Sequence, residues 1–262
     1  MTDISFTERD VALSSGSLHV RTAGKGRPLV HLHSAAGPRI SGVIEALADH
    51  HLVHAPTLPG FDGTARHASV TTISDLGNLV AEFIEKVCDG EADIVGEGLG
   101  AWVGLWVAVR HPALIGQLVL EAPAGLRRAE LIAIPANVDE RMKLLHAVPA
   151  NIPAETRTPQ MLRDNRQVLQ DYVQGVDFDE ALVEQLGEIK ARALVLMGAL
   201  DKMIPRETGH ILKAALPQSH LTYIWGAAHA IEFDQPQRTS AIVLDFLDRG
   251  ESFLVRQAAP AA

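Results

Sequence analysis

The chain has 262 residues, 47% of them apolar, a formal net charge of −9 and one cysteine. That length suits a single large domain with a substantial core, and the acidic balance argues against a nucleic-acid partner, whose phosphates require a lysine- and arginine-rich surface. The lone Cys88 excludes an internal disulfide framework, suits a reducing compartment and reads as a small buried residue near a helix end. The first ten residues lack the basic and apolar regions of a signal peptide, and no apolar run reaches the roughly 18–20 residues that cross a bilayer. A cytoplasmic protein without a membrane partner is expected.

In chain order, apolar stretches at 11–13 and 18–22 flank Ser14-Ser15-Gly16-Ser17 and predict a hairpin. A strand at 28–33, a helix at 40–48 and a strand at 51–55 follow. Ile73, Leu76, Leu79, Val80, Phe83, Ile84 and Val87 recur with a 3.6-residue period, which predicts a helix from Thr71 or Thr72 to Val87. Then come a strand at 92–95, a helix at 99–110 and a strand at 117–120. The alternation resumes with a strand at 193–197, a helix at 206–216, a strand at 221–225 and a helix at 236–247. Strands separated by helices imply a mostly parallel sheet covered on both faces.

The pattern breaks at 125–190, a polar, helical stretch divided by Pro135, Pro149, Pro153 and Pro159. It reads as a helical cap inserted into a core made of 1–124 and 191–255, with 256–262 a frayed tail. Leu131, Ile134, Met142, Leu145, Met161 and Leu162 either pack the cap on the core or line an apolar pocket, and together they suggest a small, largely apolar substrate.

Gly96-Glu97-Gly98-Leu99-Gly100-Ala101 follows a strand and opens a helix. Two readings fit it. As Gly-x-Gly-x-x-Gly/Ala it would admit a dinucleotide pyrophosphate to the helix N-terminus, with Glu121 as the ribose-binding acid. As a strand–turn–helix elbow it would carry Gly98 where Gly-x-Ser-x-Gly carries a nucleophile.

The rest of the chain resembles the α/β-hydrolase family over nearly all of 10–250. His33-Ser34-Ala35-Ala36-Gly37 is similar to that family's His-Gly oxyanion turn, and Pro56-Thr-Leu-Pro-Gly-Phe-Asp-Gly-Thr64 to its Pro-Gly loop. His111-Pro112 and the strand ending Glu121-Ala122-Pro123 resemble the segments after the elbow. Gly198-Ala-Leu-Asp201 resembles the acid loop, and Gly226-Ala-Ala-His229 the histidine loop. The resemblance implies an α/β-hydrolase fold in which Gly98, Asp201 and His229 stand in the order nucleophile, acid, histidine.

Glycine has no atom that attacks a carbonyl, so ordinary acyl-enzyme chemistry is not expected. The resemblance implies His229 as base, Asp201 as its orienting acid, and the N–H groups of Leu99 and Ala35 as oxyanion donors. Ser34, in place of a glycine, is a possible polar or catalytic group, and Glu121 a possible relocated acid. A His–Asp base without a nucleophile suits direct water attack, elimination, C–C cleavage or isomerisation. The alternatives are a non-catalytic ligand-binding relative with a decayed site, a Ser-to-Gly change introduced into a working one, or dinucleotide binding. His31, His33, His50, His51 and His54 lack the accompanying ligands of a metal site. Neither metal nor cofactor is expected, the partner is a small-molecule substrate, and a homodimer is possible.

Overall fold

The computed structural model describes residues 4–128, 137–250 and 253. Eight strands among these residues form one sheet: β1 (Thr7–Leu13), β2 (Gly16–Gly24), β3 (Pro28–Leu32), β4 (Leu52–Pro56), β5 (Ala92–Glu97), β6 (Ile115–Glu121), β7 (Arg192–Gly198) and β8 (Ser219–Ile224). Their order is β1-β2-β4-β3-β5-β6-β7-β8. β2 runs antiparallel to β1 and β4, and all pairs from β4 to β8 are parallel. The central strand β5 is buried along its whole length, as a strand covered on both faces must be.

The helices are α1 (Gly42–Ala48), α2 (Ile73–Val87), α3 (Leu99–Arg110), α4 (Val138–Leu145), α5 (Pro159–Val173), α6 (Glu180–Val183), α7 (Arg206–Ala215), α8 (Ile231–Asp234) and α9 (Pro236–Arg249). α2 packs on α3 and α1 on α9. α2 begins with a capping box in which Thr72 and Asp75 satisfy each other's backbone amides. It ends at Cys88, whose thiol burial pushes up to about 12, so it is not a nucleophile at neutral pH.

Three of the boundaries that differ from the sequence reading have a local physical cause. α1 starts at Gly42, not residue 40, because the Ser41 hydroxyl caps it by accepting from the Ile44 amide. β1 extends back to Thr7: its first four residues are exposed, so no apolar alternation marks them, yet they pair in register with β2. β8 spans Ser219–Ile224, which leaves Trp225 outside the sheet and 74% exposed.

Between β6 and β7 the described chain is helical, with α4, α5 and α6 tied to the sheet domain by polar clamps. Asp179 Oδ2 accepts from the indoles of Trp102 and Trp106 on α3, both at 2.9 Å. The Asp234 carboxylate accepts from the amides of Ala147, Val148 and Ala228. Met142, Leu145, Met161 and Leu162 are half-buried, while Leu131, Ile134 and the stretch 256–262 lie outside the described residues. No described helix is long and apolar enough to cross a membrane.

The approach of α3 to β3 is what sets the elbow. A Cβ on Gly100 would fall on the Leu32 carbonyl, and one on Gly96 would meet Gly100 and Ala101 at 2.6 Å. Gly100→Ala is therefore expected to cost at least about 1–3 kcal/mol of stability through overpacking. Gly187→Ala, which meets nothing within 4 Å, is expected to stay within about 0.5 kcal/mol of the parent. Denaturant midpoints of the two variants check this contrast.

Candidate active site

Gly98 connects β5 to α3 with φ 53° and ψ −103°, a left-handed turn that strains any side-chain-bearing residue. Its neighbours enforce the turn. The Gly98 amide donates to the Glu121 carbonyl at 2.8 Å, and its carbonyl accepts from Trp102 and Ala124 at 3.2 and 3.0 Å. Ala122, directly across from it, also has positive φ, at 41°. A Cβ added to Gly98 would meet only ordinary contacts: 3.7 Å to His229 Nε2, 3.7 Å to Ser34 Cβ and 4.0 Å to the Ala122 carbonyl.

His229 lies in the loop between β8 and α8, its side chain 15% exposed. Its Nδ1 donates to Asp201 Oδ2 at 3.0 Å, which leaves Nε2 toward Gly98. The other Asp201 oxygen accepts from the amides of Met203 and Ile204 at 2.7 and 3.0 Å, so the loop after β7 fixes the carboxylate. Burial disfavours the charged imidazole, but the Asp201 hydrogen bond and charge, joined by Glu97, raise His229 above its ordinary value.

Two backbone amides adjoin Ser34 and Gly98 in the chain. The Ser34 carbonyl accepts from the Gly37 amide at 3.0 Å and from His33 Nδ1 at 2.8 Å. In a trans peptide the following N–H points the opposite way, so the Ala35 amide is turned out of the loop. The Leu99 amide is likewise free at the N-terminus of α3, where the helix dipole favours negative charge. Neither amide donates to an acceptor among the described residues. His33 is a framework group: its Nε2 accepts from the Leu58 amide, and burial lowers its pKa to about 4.

Beneath the elbow lies a buried polar cluster. His31 Nε2 meets Glu232 Oε1 at 2.7 Å, and the Ser41 hydroxyl donates to Glu232 Oε2 at 2.6 Å. Glu97, immediately before Gly98, is buried. Burial and the nearby Glu232 charge raise Glu97 to about 7. Glu121 is fully buried with both carboxyl oxygens unpartnered, and burial beside two other carboxyls raises it well above the usual range.

The structure thus brings Gly98, His229, Asp201 and Ser34 together, with Leu99 and Ala35 next to them in the chain, while the Glu121 side chain is buried beneath the elbow without a hydrogen-bonding partner. Glu121, considered as a relocated acid or a ribose ligand, neither bonds His229, which is held by Asp201, nor reaches the surface. The sequence reading missed Glu97, Glu232 and the ion-pairing role of His31. Carboxylates ending otherwise apolar strand runs, as in Ile-Val-Gly-Glu97 and Leu-Val-Leu-Glu121, are the signal that points to such a cluster. Among the described residues no three His, Cys, Asp or Glu converge on a metal position.

A family model described as the alpha/beta hydrolase family matches residues 29–242. The chain is 26% identical to a 2-hydroxy-6-oxo-6-phenylhexa-2,4-dienoate hydrolase of Burkholderia cepacia, over 93% of this chain and 96% of that protein. It is 24% identical to a 2-hydroxymuconate semialdehyde hydrolase of a Pseudomonas species, over 93% and 95%. Among solved structures, a serine hydrolase involved in carbazole degradation superposes with a TM-score of 0.78 at 24% identity, over 93% of this chain and 99% of that one. A 2-hydroxy-6-oxo-6-phenylhexa-2,4-dienoate hydrolase from Rhodococcus gives 0.77 at 19%, over 94% and 99%.

Two ionisation effects are open to measurement. Because Asp201 raises His229, Asp201→Asn is expected to move the His229 imidazole titration to lower pH, read by NMR. The buried His31–Glu232 pair has a raised histidine and a lowered glutamate. Its His31 contribution is full below pH 6.5 and fades as pH rises through the raised value. Its Glu232 contribution is present above pH 4.5 and fades as pH falls through the lowered one. Glu232→Gln is expected to cost about 3 kcal/mol near neutrality, measured by denaturant unfolding.

Proposed function

Because this chain belongs to the alpha/beta hydrolase family, we propose that it is an enzyme that cleaves a small, largely apolar carbonyl compound using water as the nucleophile. The observation that supports this reading is His229 Nε2, 3.7 Å from the point a Gly98 Cβ would occupy, with Asp201 bonded behind it. The room left by the missing side chain lies beside a base, so a water seated there meets the Nε2 lone pair.

The step runs as general-base addition. Nε2 takes a proton while the water oxygen bonds to the carbonyl carbon, and Asp201 stabilises the imidazolium that forms. The carbonyl oxygen becomes an oxyanion facing the Ala35 and Leu99 amides, which stabilise charge as it develops. The tetrahedral adduct then expels its leaving group, which departs with a proton. Removing a triad nucleophile from a serine protease costs on the order of 10⁶ in turnover, whereas a positioned base contributes roughly 10²–10⁴. Such a site therefore suits a reactive carbonyl better than a simple ester.

The relatives' names supply such a class. A 2-hydroxy-6-oxo-6-phenylhexa-2,4-dienoate has a conjugated ketone, and hydrolysis at that ketone cuts a carbon–carbon bond. The half-buried apolar residues of α4 and α5 fit a hydrocarbon substituent on such a compound. The reaction is proton transfer and addition of water, so it calls for no cofactor.

Two variants test this. Gly98→Ser is expected to gain hydrolysis of short p-nitrophenyl esters, and the gain is expected to vanish in Gly98→Ser/His229→Ala. The parent protein is expected to consume a 6-oxo-dienoate, with a loss of about 10²-fold or more in His229→Ala. An inert Gly98→Ser together with a parent that binds but never turns over carbonyl compounds would instead mark a ligand-binding relative.

A further inference from the structure

We propose that Asp62 and Arg157 form a latch by which the helical segment between β6 and β7 holds the turn that carries the Ala35 amide. Both are positioning residues, acting through the backbone of residues 34–38. The proposal rests on the hydrolytic reading above, in which that amide meets the developing oxyanion.

The latch is built from three hydrogen bonds. Arg157, one residue before the Thr158 cap of α5, donates from Nε to both Asp62 oxygens, at 2.7 and 2.9 Å. Its Nη2 donates to the Pro38 carbonyl at 2.7 Å. The Arg157 side chain is only 6% exposed, so its charge is compensated by these partners and not by water. Asn165 on α5 completes the arrangement. Its Nδ2 donates to Asp62 Oδ1 at 2.7 Å, and its Oδ1 accepts from the Asp62 amide at 2.8 Å.

This cluster bears directly on the turn. A Cβ on Gly37 would stand 2.9 Å from Asp62 Oδ1, 3.0 Å from Asn165 Nδ2 and 3.1 Å from Arg157 Nη2, so the latch packs on the Gly37 backbone itself. The Gly37 amide in turn donates to the Ser34 carbonyl at 3.0 Å, and the peptide unit of that carbonyl carries the Ala35 N–H. A second strut leaves the turn in the opposite direction: Arg39 donates to the Ala154 carbonyl at 3.2 Å and to the Glu155 carboxylate at 2.6 Å. Residues 37–39 are thus held against 154–157 by two arginines, one from each segment.

Two observations separate a latch on the turn from a general anchor for the helical segment. Asp62 has φ 49° and ψ 38°, a left-handed conformation that strains a side-chain-bearing residue and that glycine adopts freely. A carboxylate is therefore kept where the backbone favours glycine. α5, moreover, is docked by other contacts. The buried Tyr172 hydroxyl donates to the Pro59 carbonyl at 3.0 Å, and Val168 lies against Gly60. Holding the helix does not require the Asp62 carboxylate; fixing the backbone at Gly37 and Pro38 does.

Asp62→Gly and Arg157→Gln test the latch. Glycine suits the left-handed backbone at 62 and Tyr172 keeps α5 docked, so both variants are expected to fold, as thermal unfolding checks. The first readout is amide hydrogen exchange by NMR and needs no substrate. The Gly37 amide is expected to exchange about tenfold faster or more in each variant, while the β5 amides, which report global stability, keep parental rates. With a 6-oxo-dienoate, each variant is expected to lose kcat by about tenfold or more with little change in KM, as displacement of an oxyanion donor requires. The double variant is expected to fall no further than Arg157→Gln alone, because both substitutions break one latch. Parental Gly37 exchange, equal acceleration in β5, a parental kcat, a loss confined to KM, or additive losses each overturn the proposal. If the parent turns over no carbonyl compound, the hydrolytic reading fails on its own, and Gly37 exchange still decides whether the latch holds the turn.

Discussion

The backbone turn at Gly98 is the constraint on which the site depends. Glycine does not by itself select φ 53° and ψ −103°; three hydrogen bonds and the close approach of α3 to β3 impose that conformation. A side chain at this point would normally cost of order 1–3 kcal/mol of strain, and glycine relieves it. The turn nevertheless stays, because Gly96 and Gly100 let the strand, elbow and helix touch. The position of the Leu99 amide, and the approach of His229 Nε2 to the Gly98 Cβ position, follow from the same packing.

Around the turn, charge is arranged so that each ionisable group has a different task. Asp201 has both oxygens occupied, one by loop amides and one by His229, so its carboxylate is fixed in place. Glu232 is a fixed anion, compensated by His31. That negative charge pushes Glu97 and Glu121 toward their neutral forms. Burying a carboxyl with unpartnered oxygens, as at Glu121, costs several kcal/mol if it is ionised, so protonation is its cheaper state. The cluster therefore separates charged from neutral carboxyls within a single buried region, with Glu97 at the boundary.

Much of this was legible in the sequence where the pattern is local. The helix 99–110 matches α3 at both ends, because the glycine turn starts it and His111-Pro112 stops it. The loops bearing Asp201 and His229 could be read from short motifs. β1 could not, because an exposed edge strand has no burial pattern to reveal its first residues. Nor could the carboxyl cluster. Residues 31, 97, 121 and 232 come together only after β3, β5 and β6 have been aligned and α8 folded beneath them. Their shared electrostatics exist in no single window of sequence.

The surrounding groups also bear on whether the site is idle. A cap for the loop after β7 accounts for Asp201 Oδ1, which takes the Met203 and Ile204 amides, but not for Oδ2, which is spent on His229. A scaffold could place any small polar residue there. Likewise His33 and Gly37 orient the Ser34 carbonyl firmly, and in doing so turn the Ala35 amide toward a region with no acceptor among the described residues. An unpaired donor at the Leu99 helix terminus adds a second. The oriented imidazole and the Ser34 side chain flank the Gly98 turn, and the adjoining Ala35 and Leu99 amides have no acceptor among the described residues. In the proposed reaction the water meets His229, and the carbonyl oxygen meets the two amides. In that proposed reaction, absence of the serine removes the covalent intermediate and leaves in place the groups that would stabilise charge during addition of water.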